Sequence, residues 1–284
     1  MPTVRQLRDR VKSLKNTQQI TRAMKMVAGA RIRRAELAMK AARPYAAAIG
    51  EMLGELASGG NVSHPLLAAR EPDKRALLLM TADKGLCGAF NSNLVRAALN
   101  VAARGSAPAL YLVGLKGRVQ LRKSPYPVTQ AWPLLGKPFV ALASEIAAKV
   151  TADFLSGALD ELTLVSSRFV STIVQRPTPM RLLPVQREGK TAGRGAQKNA
   201  FEFEPDPAAV LAALLPKYVE FTIFQSLLET QASEFAAKLI AMTNATDNAG
   251  KLIDELTLVM NKTRQAAITK EILEIAGGAE ALKG

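Results

Sequence analysis

The chain has 284 residues, of which 48% are hydrophobic but only 5% aromatic, and its formal net charge is +14. This length allows a sizeable buried core, and the excess of aliphatic over aromatic residues favours long helices over a β-sandwich. A single cysteine, Cys87, excludes an internal disulfide, and a single histidine, His64, leaves little material for a zinc site or a histidine-based triad.

The first predicted element is a long helix from Thr3 to about Leu56. Apolar residues in alternating steps of three and four predict a coiled-coil seam through Val4, Leu7, Val11 and Leu14. The phase then slips, which predicts two further seams, through Ile20, Met24 and Val27 and through Ala35, Ala38, Ala42, Tyr45, Ile49, Met52 and Leu56. Because Pro44 removes one backbone hydrogen bond, we expect the helix to bend near Arg43.

This helix is also strongly basic. Between residues 5 and 43, 12 lysines and arginines are offset only by Asp9 and Glu36. Such a surface needs an acidic partner, and nucleic acid, an anionic membrane or an acidic protein would qualify. No aromatic residue precedes Tyr45, so the helix offers no stacking to bases, and the sequence favours an acidic protein surface.

The middle of the chain has the alternating pattern of an α/β domain from about Asp73 onward. The predicted elements are strand 76–82, helix 91–104 ending at Gly105, strand 109–113, helix 139–155, strand 161–166 and neighbouring strands 169–175 and 181–185. The polar segment 187–199 is predicted to be a mobile loop. We therefore predict a central doubly wound, Rossmann-like α/β domain at 73–200.

Two segments of this domain partly match ligand-binding motifs. PVQREGKT (Pro184–Thr191) has proline where a P-loop needs its first glycine, and no helix follows it. DKGLCG (Asp83–Gly88) lies between a strand and a helix, where α/β proteins place ligands, although its glycines also suit a tight connection. A nucleophilic Cys87 would need a base, and His64 lies in a proline-flanked loop. We predict no catalytic, cofactor or metal site.

The last predicted element is a C-terminal helix at 208–284. Its seam runs in steps of three or four through Leu214, Tyr218, Phe221, Gln225, Leu228, Ala232, Phe235, Leu239, Met242, Thr246, Ala249, Ile253, Leu256, Met260, Thr263 and Ala267. Neither long helix would be stable with its apolar stripe exposed. We predict that helices 1–58 and 208–284 pair as a long antiparallel coiled coil.

Three blocks occur in the order and spacing of one family. They are NTQQITRAMKMVAGARIRRAE (Asn16–Glu36), TADKGLCGAFNSNL (Thr81–Leu94), and FEFEPDP (Phe201–Pro207) continued by Ala245–Ile275. With these blocks the chain resembles gamma subunits of F-type ATP synthases. The resemblance implies a non-catalytic rotor shaft that transmits torque between the membrane c-ring and the catalytic alpha/beta head, coupling proton flow to ATP synthesis or hydrolysis.

The resemblance also implies partner contacts. The acidic lever loop of a beta subunit would meet Arg22, Met24, Lys25 and Cys87. A foot on the c-ring and epsilon subunit would consist of Phe201, Glu202, Phe203, Glu204 and Asp206. The upper bearing of the head would hold Glu271, Ile272, Ile275 and Leu282. The partners would be alpha, beta and epsilon subunits and the c-ring, with no nucleic acid, at the cytoplasmic face of a bacterial inner membrane.

The sequence departs from the family pattern at three places. Phe235 stands where relatives often have Gln or His, Lys238 where they have Arg, and Pro216 within a usually continuous helix. A kink is expected in the turns after Ala208.

Two other functions fit the sequence. One is a coiled-coil adaptor that binds nucleic acid or an acidic protein, and the other is an independent enzyme that uses Cys87 or Lys190. No apolar run approaches the roughly 20 residues of a membrane span, and the N-terminus lacks a signal peptide's apolar core, so we expect no segment to cross a bilayer. The resemblance implies a peripheral protein.

Overall fold

A computed structural model describes residues 2–58, 64–71, 73–186 and 206–281. The predicted loop 187–199, the foot residues Phe201 to Glu204, and Leu282 lie outside these ranges. The chain divides into two compact units. We call Met1–Ala28 with Leu239–Gly284 the helical unit and Gly29–Lys238 the sheet unit. Each is described separately.

The sheet unit contains a five-stranded sheet in the order β3-β2-β1-β4-β5. The strands are β1 (Arg75–Met80), β2 (Ala109–Val113), β3 (Val128–Trp132), β4 (Glu161–Phe169) and β5 (Gln175–Leu183). The first four run parallel, and β5 runs antiparallel to β4. In the centre of the sheet, Leu78 pairs with Tyr111 on one side and with Leu164 on the other.

Helices cover both faces of the sheet. They are α1 (Val4–Ser58), α2 (Phe90–Ala102), α3 (Leu115–Gln120), α4 (Phe139–Leu155) and α5 (Pro207–Ala281), with a short 3-10 turn at Pro65–Leu67. Side chains alternate along β1, so Leu78 and Met80 pack with α4 and α5, while Leu77 and Leu79 pack with α2. This arrangement confirms the predicted doubly wound domain.

The predicted bounds hold for β2 and α4 and nearly so for β1 and α2, but one predicted strand is wrong. Residues 169–175 do not form a separate strand, because β4 continues to Phe169 and β5 begins at Gln175. Between the two strands, the Ser171 hydroxyl accepts hydrogen bonds from the backbone N–H groups of Ile173 and Val174. These bonds stabilise a turn in a segment whose apolar residues suggested a strand. The sequence also gave no sign of α3 or of the mostly exposed strand β3.

Within the sheet unit α1 and α5 pack side by side in opposite directions. The ring of Tyr45 meets that of Phe221 with centroids 4.6 Å apart, and the Arg31 guanidinium lies 5.7 Å from the centroid of Phe235. From Arg31 to Tyr45 the residue number rises along α1, while that of the contacted residue on α5 falls from 235 to 221. The two helices are therefore antiparallel.

In the helical unit the same two helices are joined by polar contacts. Gln18 donates to the Thr246 carbonyl at 3.4 Å, and the Thr246 hydroxyl donates to the Thr21 hydroxyl at 2.9 Å. A Cβ on Gly250 would lie 3.1 Å from the Gln18 amide nitrogen, so this small residue leaves room for the crossing side chain. The predicted coiled coil of the terminal helices is confirmed.

The predicted phase slip in α1 is wrong. The buried residues of α1 all fit one unbroken alternation of three and four, and they are Leu7, Val11, Thr21, Ala28, Ile32, Ala35, Met39, Ile49 and Leu56. Ile20 and Val27, predicted to be in the seam, are 61% and 51% exposed. Thr21 and Ala28 take their place, because small side chains let two helices approach closely.

The α5 helix is buried on two sides. Besides seam residues such as Leu228, Ala232 and Met242, it has a second buried stripe that packs with the sheet and comprises Leu211, Leu215, Val219, Ile223 and Leu227. By length and composition alone α5 could also cross a membrane, a test that core helices of soluble proteins pass too. Pro44 and Pro216 lie inside α1 and α5, and the bends expected there stay predictions.

Candidate functional site

The DKGLCG loop begins at the edge of the sheet where α/β proteins usually bind ligands. The Asp83 carboxylate accepts three backbone N–H groups, from Leu115 at 2.8 Å, Leu134 at 3.0 Å and Leu135 at 2.8 Å. These groups belong to the segments that follow β2 and β3, so one carboxylate joins three loops. The acidic group of this motif is therefore engaged by the chain's own backbone, as in a tight connection.

Thr81 fills the neighbouring part of this edge. Its hydroxyl donates to the Val113 carbonyl at 3.0 Å and accepts the Gly117 N–H at 2.8 Å. Gly114 has φ +91°, and a Cβ there would lie 2.1 Å from the Thr81 carbonyl oxygen. Glycine is therefore required where the loop after β2 passes over the end of β1.

Cys87 lies inside the sheet unit and is 2% exposed. Asn91 donates to its sulfur at 3.2 Å and accepts the Ala82 N–H at 2.9 Å. Burial and then the charge of Glu234 raise the pKa of the Cys87 thiol, against smaller opposing effects of Lys238 and Asn91. Both the burial and the raised pKa favour the protonated thiol, which is a weaker nucleophile than the thiolate. The exposed side chains of this loop are Lys84 and Leu86, and Leu86 is 62% exposed.

Two of the three departures from the family pattern, Phe235 and Lys238, lie in the α5 segment whose charges act on this cysteine. Lys238 forms an ion pair with Glu234 at 2.8 Å, and each side chain is only 11% exposed. The Phe235 ring lies 5.7 Å from the Arg31 guanidinium and 5.9 Å from the Lys238 ammonium. Phenylalanine here offers its ring face to two cations, and the charge of Lys238 is paired with that of Glu234.

The predicted lever-loop residues fall in both units. Arg22, Met24 and Lys25 belong to the helical unit, where Arg22 is exposed and the other two are half-buried, whereas Cys87 belongs to the sheet unit. All lysines and arginines of α1 up to Arg43 are exposed except Lys25. The basic surface predicted from the sequence is thus available for contact.

The described foot and bearing residues have distinct surroundings. Asp206 accepts the N–H groups of Ala208 and Ala209 at 2.8 and 3.0 Å, so it caps the start of α5. Near the other end of α5, Glu271 is exposed, and Ile272 and Ile275 are 59% and 73% exposed. Exposed isoleucines at a helix end are typical of a surface that a partner covers.

The other candidate motifs have structural roles. In the P-loop-like segment the Val185 N–H donates to the Leu66 carbonyl at 2.8 Å, which ties the start of the segment to the 3-10 turn. His64 Nδ1 accepts the Leu66 N–H and caps the same turn, and burial lowers the pKa of His64. Among the described residues there is no group of three potential metal-ligating side chains.

Comparisons with known proteins give a consistent result. A family model described as ATP synthase matches residues 3–282. The chain is 48% identical to the ATP synthase gamma chain of Pelotomaculum thermopropionicum and 47% identical to that of Desulforamulus reducens, with 100% of each chain covered.

Solved structures agree. A chain from the central stalk and c-ring structure of Tetrahymena thermophila mitochondrial ATP synthase has a TM-score of 0.63 at 26% identity, covering 80% of this chain and 99% of that one. A chain of the Euglena gracilis mitochondrial ATP synthase rotor has a TM-score of 0.66 at 20% identity, covering 93% and 98%, which shows a shared fold.

Proposed function

The chain belongs to the ATP synthase gamma chain family, and we propose that it is the central rotor shaft of such a complex. In this role it transmits torque between the membrane c-ring and the catalytic alpha/beta head, and so couples proton flow to ATP synthesis or hydrolysis. The observation that carries the proposal is the 48% identity to a curated gamma chain over the full length of both proteins.

The chain itself supplies contact surfaces and no catalytic group. This part of the proposal is supported by three candidate side chains among the described residues, each of which is engaged within the chain. The carboxylate of Asp83 accepts three backbone amides, the thiol of Cys87 is buried, and His64 caps a turn. Catalysis would take place on the alpha and beta subunits.

The rotor acts on the catalytic sites through its asymmetry. The outer face of α1 is basic, whereas the α5 surface beyond residue 264 mixes exposed isoleucines with charges of both signs. A shaft with unlike faces presents a different contact set to each catalytic site of the head, so rotation changes the relative stability of their open and closed states. Arg22, Met24 and Lys25 would meet the acidic lever loop, together with the Cys87 loop.

The ends of the shaft carry the remaining contacts. The foot that meets the c-ring and epsilon subunit is the segment from Phe201 to Asp206, whose last residue caps α5. The bearing in the head holds Glu271, Ile272, Ile275 and Leu282. The chain reaches the cytoplasmic face of a bacterial inner membrane only through the complex, as a peripheral protein.

Torque transmission requires a shaft that resists twisting. The α1 seam is buried and unbroken, and close-packed side chains at native density give two paired helices more stiffness than one helix has. Polar links such as that between Thr21 and Thr246 fix the register of the pair in the helical unit.

The proposal is tested by assembly with defined subunits. The full chain is co-expressed with alpha, beta and epsilon subunits, the complex is purified through a tag on beta, and proton pumping is measured after addition of the membrane sector. We expect the chain in the complex and ATP-driven pumping that stops when the chain is omitted. A head that pumps equally without the chain would refute the proposal.

The exposed basic face of α1 favours one alternative, an adaptor that binds nucleic acid. That function predicts that the purified chain binds a duplex of a specific sequence in a salt-dependent way. Its affinity for this duplex should be at least as high as its affinity for the alpha/beta head. Binding to the head alone excludes it.

A further inference from the structure

The hairpin of β4 and β5 extends past the end of the central sheet. Pairing between β1 and β4 ends at Leu79 and Val165, whereas β4 and β5 remain paired up to Phe169 and Gln175. We call residues 166–178 the arm. Its base is held on α5, because the Ser167 N–H donates to the Thr230 hydroxyl at 3.3 Å. The arm is therefore a two-stranded ribbon with a fixed base.

The tip of the arm is apolar and exposed. Ile173 is 81% exposed, Val170 53% and Val174 38%. The Ser171 hydroxyl accepts two backbone N–H groups of the turn, so the turn that presents these side chains is internally satisfied. An ordered turn that holds three aliphatic side chains in solvent is typical of a contact site.

Two like charges face each other behind this tip. Arg168 and Arg176 are directly opposite in the antiparallel pair, and both are exposed. Like charges in this position destabilise a hairpin, and the arm sequence SSRFVSTIVQRPT contains no Asp or Glu to offset them. A carboxylate from another molecule would relieve the repulsion and accept hydrogen bonds from both guanidinium groups.

We propose that the arm docks onto an acidic protein surface of a neighbouring subunit in the complex, an inference that rests on the proposed function. A partner carboxylate pairs with Arg168 and Arg176, and apolar partner side chains cover Ile173, Val170 and Val174. A protein fits better than a membrane surface, because two arginines and the half-buried Phe169 are fewer basic and aromatic groups than the clusters that hold proteins at a lipid interface, and the arm has no tryptophan or tyrosine.

The contact is tested by photo-crosslinking in the assembled complex. A photoreactive phenylalanine analogue replaces Ile173, and in a matched control it replaces Val119, which is 67% exposed on α3 of the same unit. We expect Ile173 to crosslink to one partner peptide that contains Asp or Glu, several-fold more strongly than Val119 does.

The arginines are tested in the same assay. Arg168→Glu with Arg176→Glu should lower the Ile173 crosslink roughly tenfold, because attraction becomes repulsion at both positions. Arg168→Gln with Arg176→Gln removes both charges without reversing them and should give a smaller loss of the crosslink. This variant keeps the test possible if the charge reversal prevents folding. The control reversal, Arg96→Glu with Arg118→Glu on exposed helix positions, should leave the crosslink unchanged.

The outcomes separate the two proposals. A complex that assembles but shows no excess crosslink at Ile173, a crosslink to lipid only, or no effect of the arginine changes would refute the arm contact alone. If alpha and beta subunits are absent from the purified material, the proposed function is refuted. The arm contact is then refuted as well, because it requires a neighbouring subunit of that complex.

Discussion

The carboxylate of Asp83 holds three loops together, and its loss leaves three amides without their acceptor. We expect Asp83→Ala to lower the free energy of unfolding by about 2–3 kcal/mol, a value limited by water access to the exposed Leu115 and Leu135. Urea unfolding followed by circular dichroism measures it. The control Asp73→Ala removes an exposed carboxylate of the same unit, and equal losses in the two variants would contradict the role given to Asp83.

The Tyr111 hydroxyl donates to Asp153 at 2.5 Å inside the sheet unit. Burial and then Asp153 raise the pKa of Tyr111, so its contribution to stability is complete below the unfolded pKa of about 10 and is lost as the pH rises further. Tyr111→Phe should therefore cost about 1 kcal/mol near pH 8 and progressively less toward pH 11. Denaturant unfolding of both proteins across this range checks it, and a constant difference would contradict it.

Met24 is half-buried on α1, in the segment proposed to face the lever loop. Met24→Lys adds a charge to that contact, and we expect it to reduce protons pumped per ATP hydrolysed while the complex still assembles. Met26→Lys, at a position 67% exposed on the same helix, is the control. Unchanged coupling in Met24→Lys, or equal impairment in both, would argue against this contact.

Sequence patterns identified the DKGLCG segment but not what its acid does. Asp83 bonds to residues 32, 51 and 52 positions away, and no local pattern encodes such pairings. Cys87 was chosen as a contact through family resemblance, whereas its burial depends on packing with α2 and α5. Leu86, an exposed residue of the loop, has φ +62°, which only a structure could reveal.

Among the helices and strands, the sequence predicted those in which apolar side chains recur at a regular spacing. The bounds of β2 and α4 follow from compact apolar patterns, whereas β3 is an edge strand with mostly exposed residues and has no such signal. In α1, hydrophobicity alone predicts Ile20 in the seam, but Ile20 is 61% exposed because the smaller Thr21 occupies the buried position. At the close crossing the helices instead bury Thr21, whose hydroxyl is hydrogen-bonded.

The corrected seam leads to a stability prediction for α1. Ile32 is 5% exposed and Leu37 is 68% exposed, and both lie in the sheet unit. We expect Ile32→Ser to lower the free energy of unfolding by about 3–4 kcal/mol, because it removes buried apolar volume and buries a hydroxyl. Leu37→Ser should change it by less than about 0.5 kcal/mol. Chemical denaturation of the two variants measures both values, and similar losses would contradict the single unbroken seam.

At the scale of the whole molecule, the fold class and the family could be predicted because they are encoded in long periodic segments and in three spaced blocks. Partner contacts belong to an assembly, so those proposed for Arg22, Lys25 and Glu271 rest on family resemblance and stay predictions. The arm was not predicted, because residues 169–175 were predicted to be a strand, whereas they contain the turn of the hairpin. The pairing of its two arginines arises only from the strand register.

The proposed function requires this chain to turn inside a stationary head. The most direct measurement attaches a gold rod to Val119→Cys, an exposed position in the sheet unit, in a complex whose beta subunits are fixed to glass. On addition of ATP we expect the rod to rotate in one direction with three equivalent pauses per turn. ATP hydrolysis at the normal rate while the rod remains stationary would contradict the account.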